Sequence, residues 1–247
     1  MKRKINSKFR WFFVLTSIAF ISGCVSTVQH TPDDPYEGFN RKVFAFNQTI
    51  DKFIFRPIAK TYDFIFPSAV KKAVSNFFSN IGDISNIPND VLQGNFQHAG
   101  TDLFRVAVNT TAGIGGLFDV ASVGGIPKYN EDFGLTLAKW GAKNTHYLVL
   151  PILGPSTFRD APSLIADYVL DPVSYVQPDG YRYAADALRA IDKRSKLLPS
   201  DRLVREAFDP YIFVRDAYMQ RRSYLMSKNE EGNNKTEVQQ NEYSKNL

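Results

Sequence analysis

Residues 34–57 read DPYEGFNRKVFAFNQTIDKFIFRP, and the spacing of their apolar side chains decides the fold class. Phe39, Val43, Phe46, Ile50 and Phe53 recur at steps of four and three, the repeat of one face of an α-helix. Phe44 and Phe55 lie off that stripe. A helix that buries one face in a soluble core has no need of them. The segment therefore either meets a second apolar phase or, as is commoner, packs partly between neighbouring helices. Pro57 is expected to end or kink the helix, because proline removes an amide donor and clashes with the preceding turn.

The helical repeat returns downstream. Pro67 opens a segment with Val70, Val74, Phe77 and Ile81 expected inward and Lys71 and Lys72 outward, and Leu103, Phe104, Ala107 and Val108 repeat the pattern within residues 100–111. Gly113, Gly115 and Gly116, with Gly124 and Gly125 further on, lack the Gly-x-Gly-x-x-Gly spacing of a phosphate-cradling loop and read as turns or close helix packing. Residues 132–140 suit a short helix. Tyr147 to Leu153 (YLVLPIL) is a brief apolar run suited to a strand or hairpin, and later helices are expected over 162–170, 181–197 and 210–225, the last capped by Asp209. These readings predict a mainly α protein with at most a short β-hairpin, one domain over residues 34–227, and a disordered polar tail over 228–247.

The N-terminus has a different character. Lys2, Arg3, Lys4, Lys8 and Arg10 precede an apolar run from Trp11 to Ile21, the layout of an export signal over residues 1–23. That run falls well short of the roughly 20 residues a membrane-crossing helix needs. It ends in Ile21-Ser22-Gly23-Cys24, which resembles a bacterial lipobox, so Cys24 is expected to become a lipidated N-terminus on a tether over residues 24–33. Val25 and Ser26 are not the aspartate that retains lipoproteins at the inner membrane of enteric bacteria, which favours the outer membrane. The formal charge of +5 also belongs to the leader: without its five cations, 25 basic residues face 25 acidic ones. The electrostatic case for a nucleic-acid partner disappears.

Catalytic signatures are missing. His30, His98 and His146 stand at no metal-binding spacing, so no metal site is predicted. There is no Gly-x-Ser-x-Gly elbow, the single cysteine is assigned to lipid, and Asp160, Asp167 and Asp171 read as caps or solvated carboxylates. No cofactor is expected beyond the lipid on Cys24.

The opening segment Asp34-Pro35-Tyr36-Glu37-Gly38-Phe39-Asn40-Arg41, continuing through Phe46-Asn47 and Arg56-Pro57, resembles the start of the MlaA (VacJ) family of outer-membrane lipoproteins. Further blocks follow in the family's order: residues 89–94, 104–109, 113–119, Asp132-Phe133-Gly134, residues 150–160, and Asp209-Pro210-Tyr211 with Val214-Arg215. The resemblance weakens between residues 161 and 200.

What the resemblance implies is a ring-like helical protein in the inner leaflet and on the periplasmic side of the outer membrane. It implies an amphipathic channel, association with trimeric porins, and no enzymatic step. Such proteins remove phospholipid misplaced in the outer leaflet and pass it to a soluble periplasmic carrier for return to the inner membrane. On that basis Phe39, Phe44, Phe46 and Phe55 are candidates for a membrane-facing or ring-forming helix, and Gly113, Gly115, Gly116, Gly141 and Tyr147 for a channel or hinge. Two other readings compete: a structural adaptor that holds porins without moving lipid, and a lipid-modifying hydrolase.

Overall fold

The computed structural model describes residues 34–143 and 145–245, with side chains through Asn229. The proposed signal peptide, Cys24 and the tether lie outside the described residues. Helix α1 spans Glu37–Ile50, a π-helical turn covers Asp51–Phe55, and α2 continues over Arg56–Ile65. Pro57 therefore does not end the helix. The Arg56 N–H reaches back five residues to the Asp51 carbonyl, and this widened turn gives the pyrrolidine ring the room that a regular turn denies it.

Pro67 caps α3 (Ser68–Leu92), and a short turn with Gly94 at φ +79° leads into α4 (Phe96–Thr111). The bonded pairs Asn80–Thr110, Asp83–Arg105 and Asn86–Asp102 run in opposite chain directions, so α3 and α4 form an antiparallel pair. Two short helices follow, α5 (Val120–Val123) and α6 (Phe133–Lys139), capped by the carboxylates of Asp119 and Asp132. Strands β1 (Tyr147–Leu150) and β2 (Gly154–Thr157) then make the expected antiparallel hairpin, with Tyr147 opposite Thr157 and Leu150 opposite Gly154. The chain closes with α7 (Asp160–Leu170), α8 (Asp179–Lys196), α9 (Asp201–Glu206) and α10 (Pro210–Lys245).

The mainly α fold with one hairpin is as predicted, and the last helix, expected over 210–225, runs on as α10 to Lys245. Glu, Lys and Gln are good helix formers, and extending a packed helix avoids the unfavourable nucleation that would keep such a polar segment unfolded alone.

The larger departure concerns which face of each helix points inward. On α1 three residues of the apolar stripe point out while Val43 turns in: Phe39 and Phe46 are about half exposed, and Phe53 in the π turn is 69% exposed. The inward positions belong to Asn40, which is fully buried, and to Val43, Phe44 and Asn47. On α3 the buried residues are Asn80, Asp83, Asn86, Asn89 and Asp90; on α4 they are Ala99, Asp102, Arg105 and Asn109. Meanwhile Val70, Phe77, Leu103 and Phe104 are exposed. A buried polar interior survives only if its groups are bonded. Arg105 shows how this is met: its guanidinium, 1% exposed, binds Asp83 at 3.1 Å, Asp119 at 3.0 Å and the Ile126 carbonyl at 2.8 Å.

Candidate functional site

The hairpin, α1 and α10 meet at the apolar knot of the molecule. Alternation along β1 turns Tyr147 and Val149 inward, 1% and 0% exposed, and both pack with Tyr211 of α10. Val43, Phe44, Tyr218 and Met219 close around them, with the Phe44 and Tyr211 rings edge to face at 5.6 Å.

Strand β1 has a second neighbour in α1, through side chains. Asn40 donates to the Tyr147 carbonyl at 3.1 Å and accepts from the Val149 N–H at 2.9 Å. Asn47, two turns on, donates to the Leu150 carbonyl at 2.8 Å and accepts from the Ile152 N–H at 2.7 Å. The two amides thus stand in for a missing strand at this sheet edge. This requirement turns the asparagine face of α1 inward and leaves Phe39 and Phe46 outside. Asp34 accepts from Asn40 and from the Tyr211 hydroxyl, and Arg41 grips Asp209 with two nitrogens, fixing α1 against the start of α10.

Two cavities border the knot. The larger, about 860 Å³, is walled by Lys143, Arg159, Arg215 and Arg222 together with Tyr147, Met219 and Met226. The smaller, about 510 Å³, touches Phe44, Asn47, Asp51, Arg56, Val149 and Asp201. Tyr147 borders the larger cavity and Val149 the smaller, so both cavities touch the same knot.

The larger cavity is cationic yet internally braced. Arg159 and Arg222 both bind Asp160, at 2.8 and 3.0 Å, and Tyr218 donates to the same carboxylate at 2.9 Å. Burial works against ionisation of Asp160, but these partners outweigh it and hold the carboxyl below its usual range. The Tyr147 hydroxyl has no hydrogen-bond partner, and burial, then the nearby Asp34 charge, raises its pKa. Guanidinium and ammonium groups facing an open volume suit phosphate, and the methionine walls suit hydrocarbon.

The predicted site residues divide. Gly141, at φ +114°, ends α6 just before Lys143, and Tyr147 lines the cavity itself. Phe39 and Phe46 are outward. Phe44 is turned into the knot and Phe55 is half-buried, the partial packing that the helical spacing gave as the commoner reading of these off-stripe residues. Gly113, Gly115 and Gly116 touch neither cavity. They close the end of α4 against α3: a Cβ on Gly113 would sit 2.4 Å from the Asn109 carbonyl, and one on Gly116 2.7 Å from the Asn80 side chain.

Sequence reasoning missed Arg159, Arg215, Arg222 and the Asn40–Asn47 pair. A signal was present: Arg215, Met219, Arg222 and Met226 stand at steps of four, three and four on one face of α10. Metal-ligating groups also come together, outside both cavities, at Asp90, His98 and Glu131, which no local spacing reveals.

Across the surface, Phe64, Ile65, Phe96, Leu153, Ile165 and Val123 are all at least 60% exposed. No helix among the described residues is long and apolar enough to cross a membrane.

Comparison with known proteins is consistent over most of the chain. Residues 32–225 match the family described as MlaA lipoprotein. An uncharacterized protein of Rickettsia felis is 42% identical over 186 residues, covering 74% of each chain. The intermembrane phospholipid transport system lipoprotein MlaA of Escherichia coli is 33% identical over 225 residues, covering 88% of this chain and 89% of its own. A chain solved in work on the structural basis for maintenance of bacterial outer membrane lipid asymmetry superposes with a TM-score of 0.68 at 34% identity, covering 78% of this chain and 98% of that one.

Proposed function

From the premise that the chain belongs to the MlaA lipoprotein family, we propose that it acts in outer-membrane phospholipid transport, removing misplaced phospholipid from the outer leaflet. The observation that carries this reading is the inverted distribution of polarity. Large apolar side chains are exposed across the outside, while amides, carboxylates and a guanidinium are buried between α3 and α4 and four cations wall an 860 Å³ cavity. A zwitterionic lipid needs this division: hydrocarbon must stay out of water while a charged headgroup passes through a bonded polar environment.

In this mechanism the headgroup phosphate pairs with Arg215, Arg222 and Lys143, and the acyl chains lie along Met219, Met226 and the apolar exterior. Asp160 and Asp132 hold Arg222 in place, and Asp216 holds Arg215. The packed rings of Tyr147, Tyr211 and Phe44 act as the gate, Tyr147 bordering the larger cavity and Phe44 the smaller, and their displacement joins the two into one path. Gly141 supplies backbone freedom beside it. Movement is passive and leaves the lipid chemically unchanged. A lipid on Cys24 holds the ring-like body at the inner leaflet, where trimeric porins and a soluble periplasmic carrier are its partners.

The test is the outer-leaflet phospholipid of a strain lacking the gene, complemented with wild type, Tyr147→Ala or the double variant Arg215→Ala/Arg222→Ala. Deletion should raise outer-leaflet phospholipid, wild type should restore it, and the double variant should restore it poorly at equal protein level. An unchanged lipid distribution on deletion, in a strain with no redundant pathway, overturns the proposal. Photo-crosslinking from position 219 separates it from a porin adaptor: lipid adducts support transport, and protein adducts alone support the adaptor. Release of lysolipid or fatty acid by the purified protein would instead establish a hydrolase.

A further inference from the structure

We propose that Asp90, His98 and Glu131 bind a divalent transition-metal ion, with zinc the best match, and that the ion pins the α3–α4 turn to the segment entering α6. Asp90 lies in the last turn of α3, His98 in the first turn of α4, and Glu131 two residues before α6. One ligand atom from each lies within 4.8 Å of the other two.

The decisive observation is the state of Asp90. Four aspartates among the described residues, Asp34, Asp83, Asp90 and Asp102, are fully buried. Asp34 and Asp83 are hydrogen-bonded on both oxygens, and Asp102 on one. Neither oxygen of Asp90 has a hydrogen-bond partner. The nearest complementary atom is Nδ1 of His98, at 3.8 Å, and that nitrogen is itself buried without a hydrogen bond. A buried carboxylate left bare on both oxygens is costly, and a dication between it and the imidazole removes the cost.

The surroundings are built as a second layer around such an ion. The His98 ring stacks on Tyr129 at 3.7 Å and 13° between planes, which fixes its direction. Glu131 is oriented by Gln93 at 2.9 Å and Asn229 at 2.8 Å, both bonds falling on Oε2. One imidazole and two carboxylates suit zinc, whereas calcium and magnesium favour all-oxygen shells. Ligand atoms around zinc stand about 3.4 Å apart, so binding draws the three groups inward by about 1 Å.

The experiment uses full-length protein in detergent, stripped with chelator and titrated with Zn²⁺ alone. Calorimetry should give one site per chain with a dissociation constant at or below the micromolar range, and the melting temperature should rise by about 5 °C at saturation. His98→Ala and Asp90→Asn should each weaken binding at least tenfold. Should either variant fold poorly, X-ray absorption of the zinc-loaded wild type decides alone: one imidazole nitrogen with oxygen neighbours near 2.0 Å supports the site. Absence of Zn²⁺ binding by the wild type, binding undiminished in folded His98→Ala, or an absorption spectrum without a histidine ligand overturns it.

Discussion

The α3–α4 pair and the hairpin with α10 solve opposite packing problems. Between α3 and α4 the buried side chains are asparagines, aspartates and Arg105, and the large apolar residues face out. Around the hairpin the arrangement is conventional, with Tyr147, Val149 and Tyr211 shut away from solvent. The first region is held by bonded polar groups and the second by dispersion and apolar burial. Polarity inside is therefore a local property of the helices, and both cavities border the hairpin region.

The comparison can be broken most severely at Arg105. Replacing it with Leu strands Asp83, fully buried, with only Lys128 to balance it, and should cost about 3–5 kcal/mol in chemical denaturation. In the other region, Val149→Ala should cost about 2 kcal/mol by the same measurement, because it only removes methyl groups from a tight site. If the two losses come out equal, the polar interior is no more specialised than an ordinary core.

A smaller effect sharpens the contrast through pH. Burial pushes Asp167 up to about 6 from its ordinary 3.8, against the Phe133 N–H that it accepts. The folded state holds that proton more tightly than the unfolded chain. Its contribution is fully present below pH 3.8 and is lost as pH rises through about 6. Asp167→Asn should flatten the stability profile across that window by about 1 kcal/mol after solvent screening. The smallest effect on stability is expected outside: Phe64→Ser, at a side chain 91% exposed, should shift the denaturation midpoint by no more than about 0.5 kcal/mol. The same variant should partition less into phospholipid vesicles, which flotation measures.

Much of the architecture was legible because it is local. The short helix from Asp132, the helix after Pro67 and the YLVLPIL hairpin each rest on a few neighbouring residues. The candidate site was legible only where it is local too. Tyr147 was named from the resemblance of its loop and lines the larger cavity, but Arg159, Arg215 and Arg222 converge there from two segments about sixty residues apart. The reach of α10 was misjudged for a related reason. A polar composition argues against an independent fold, yet says little about a segment continuing a helix that is already anchored.

By itself the sequence determined the helical periods, the caps, the hairpin, the family and the expectation of a lipid on Cys24. Tertiary structure alone decided which face of each helix is the inside, and which distant groups, such as Asp90, His98 and Glu131, share a site. The reason is physical. A helical repeat sorts side chains into two phases but carries no sign, so Phe39 and Phe46 read identically whether they face a core or the outside. The sign came from Asn40 and Asn47, whose amides had to meet the open edge of β1.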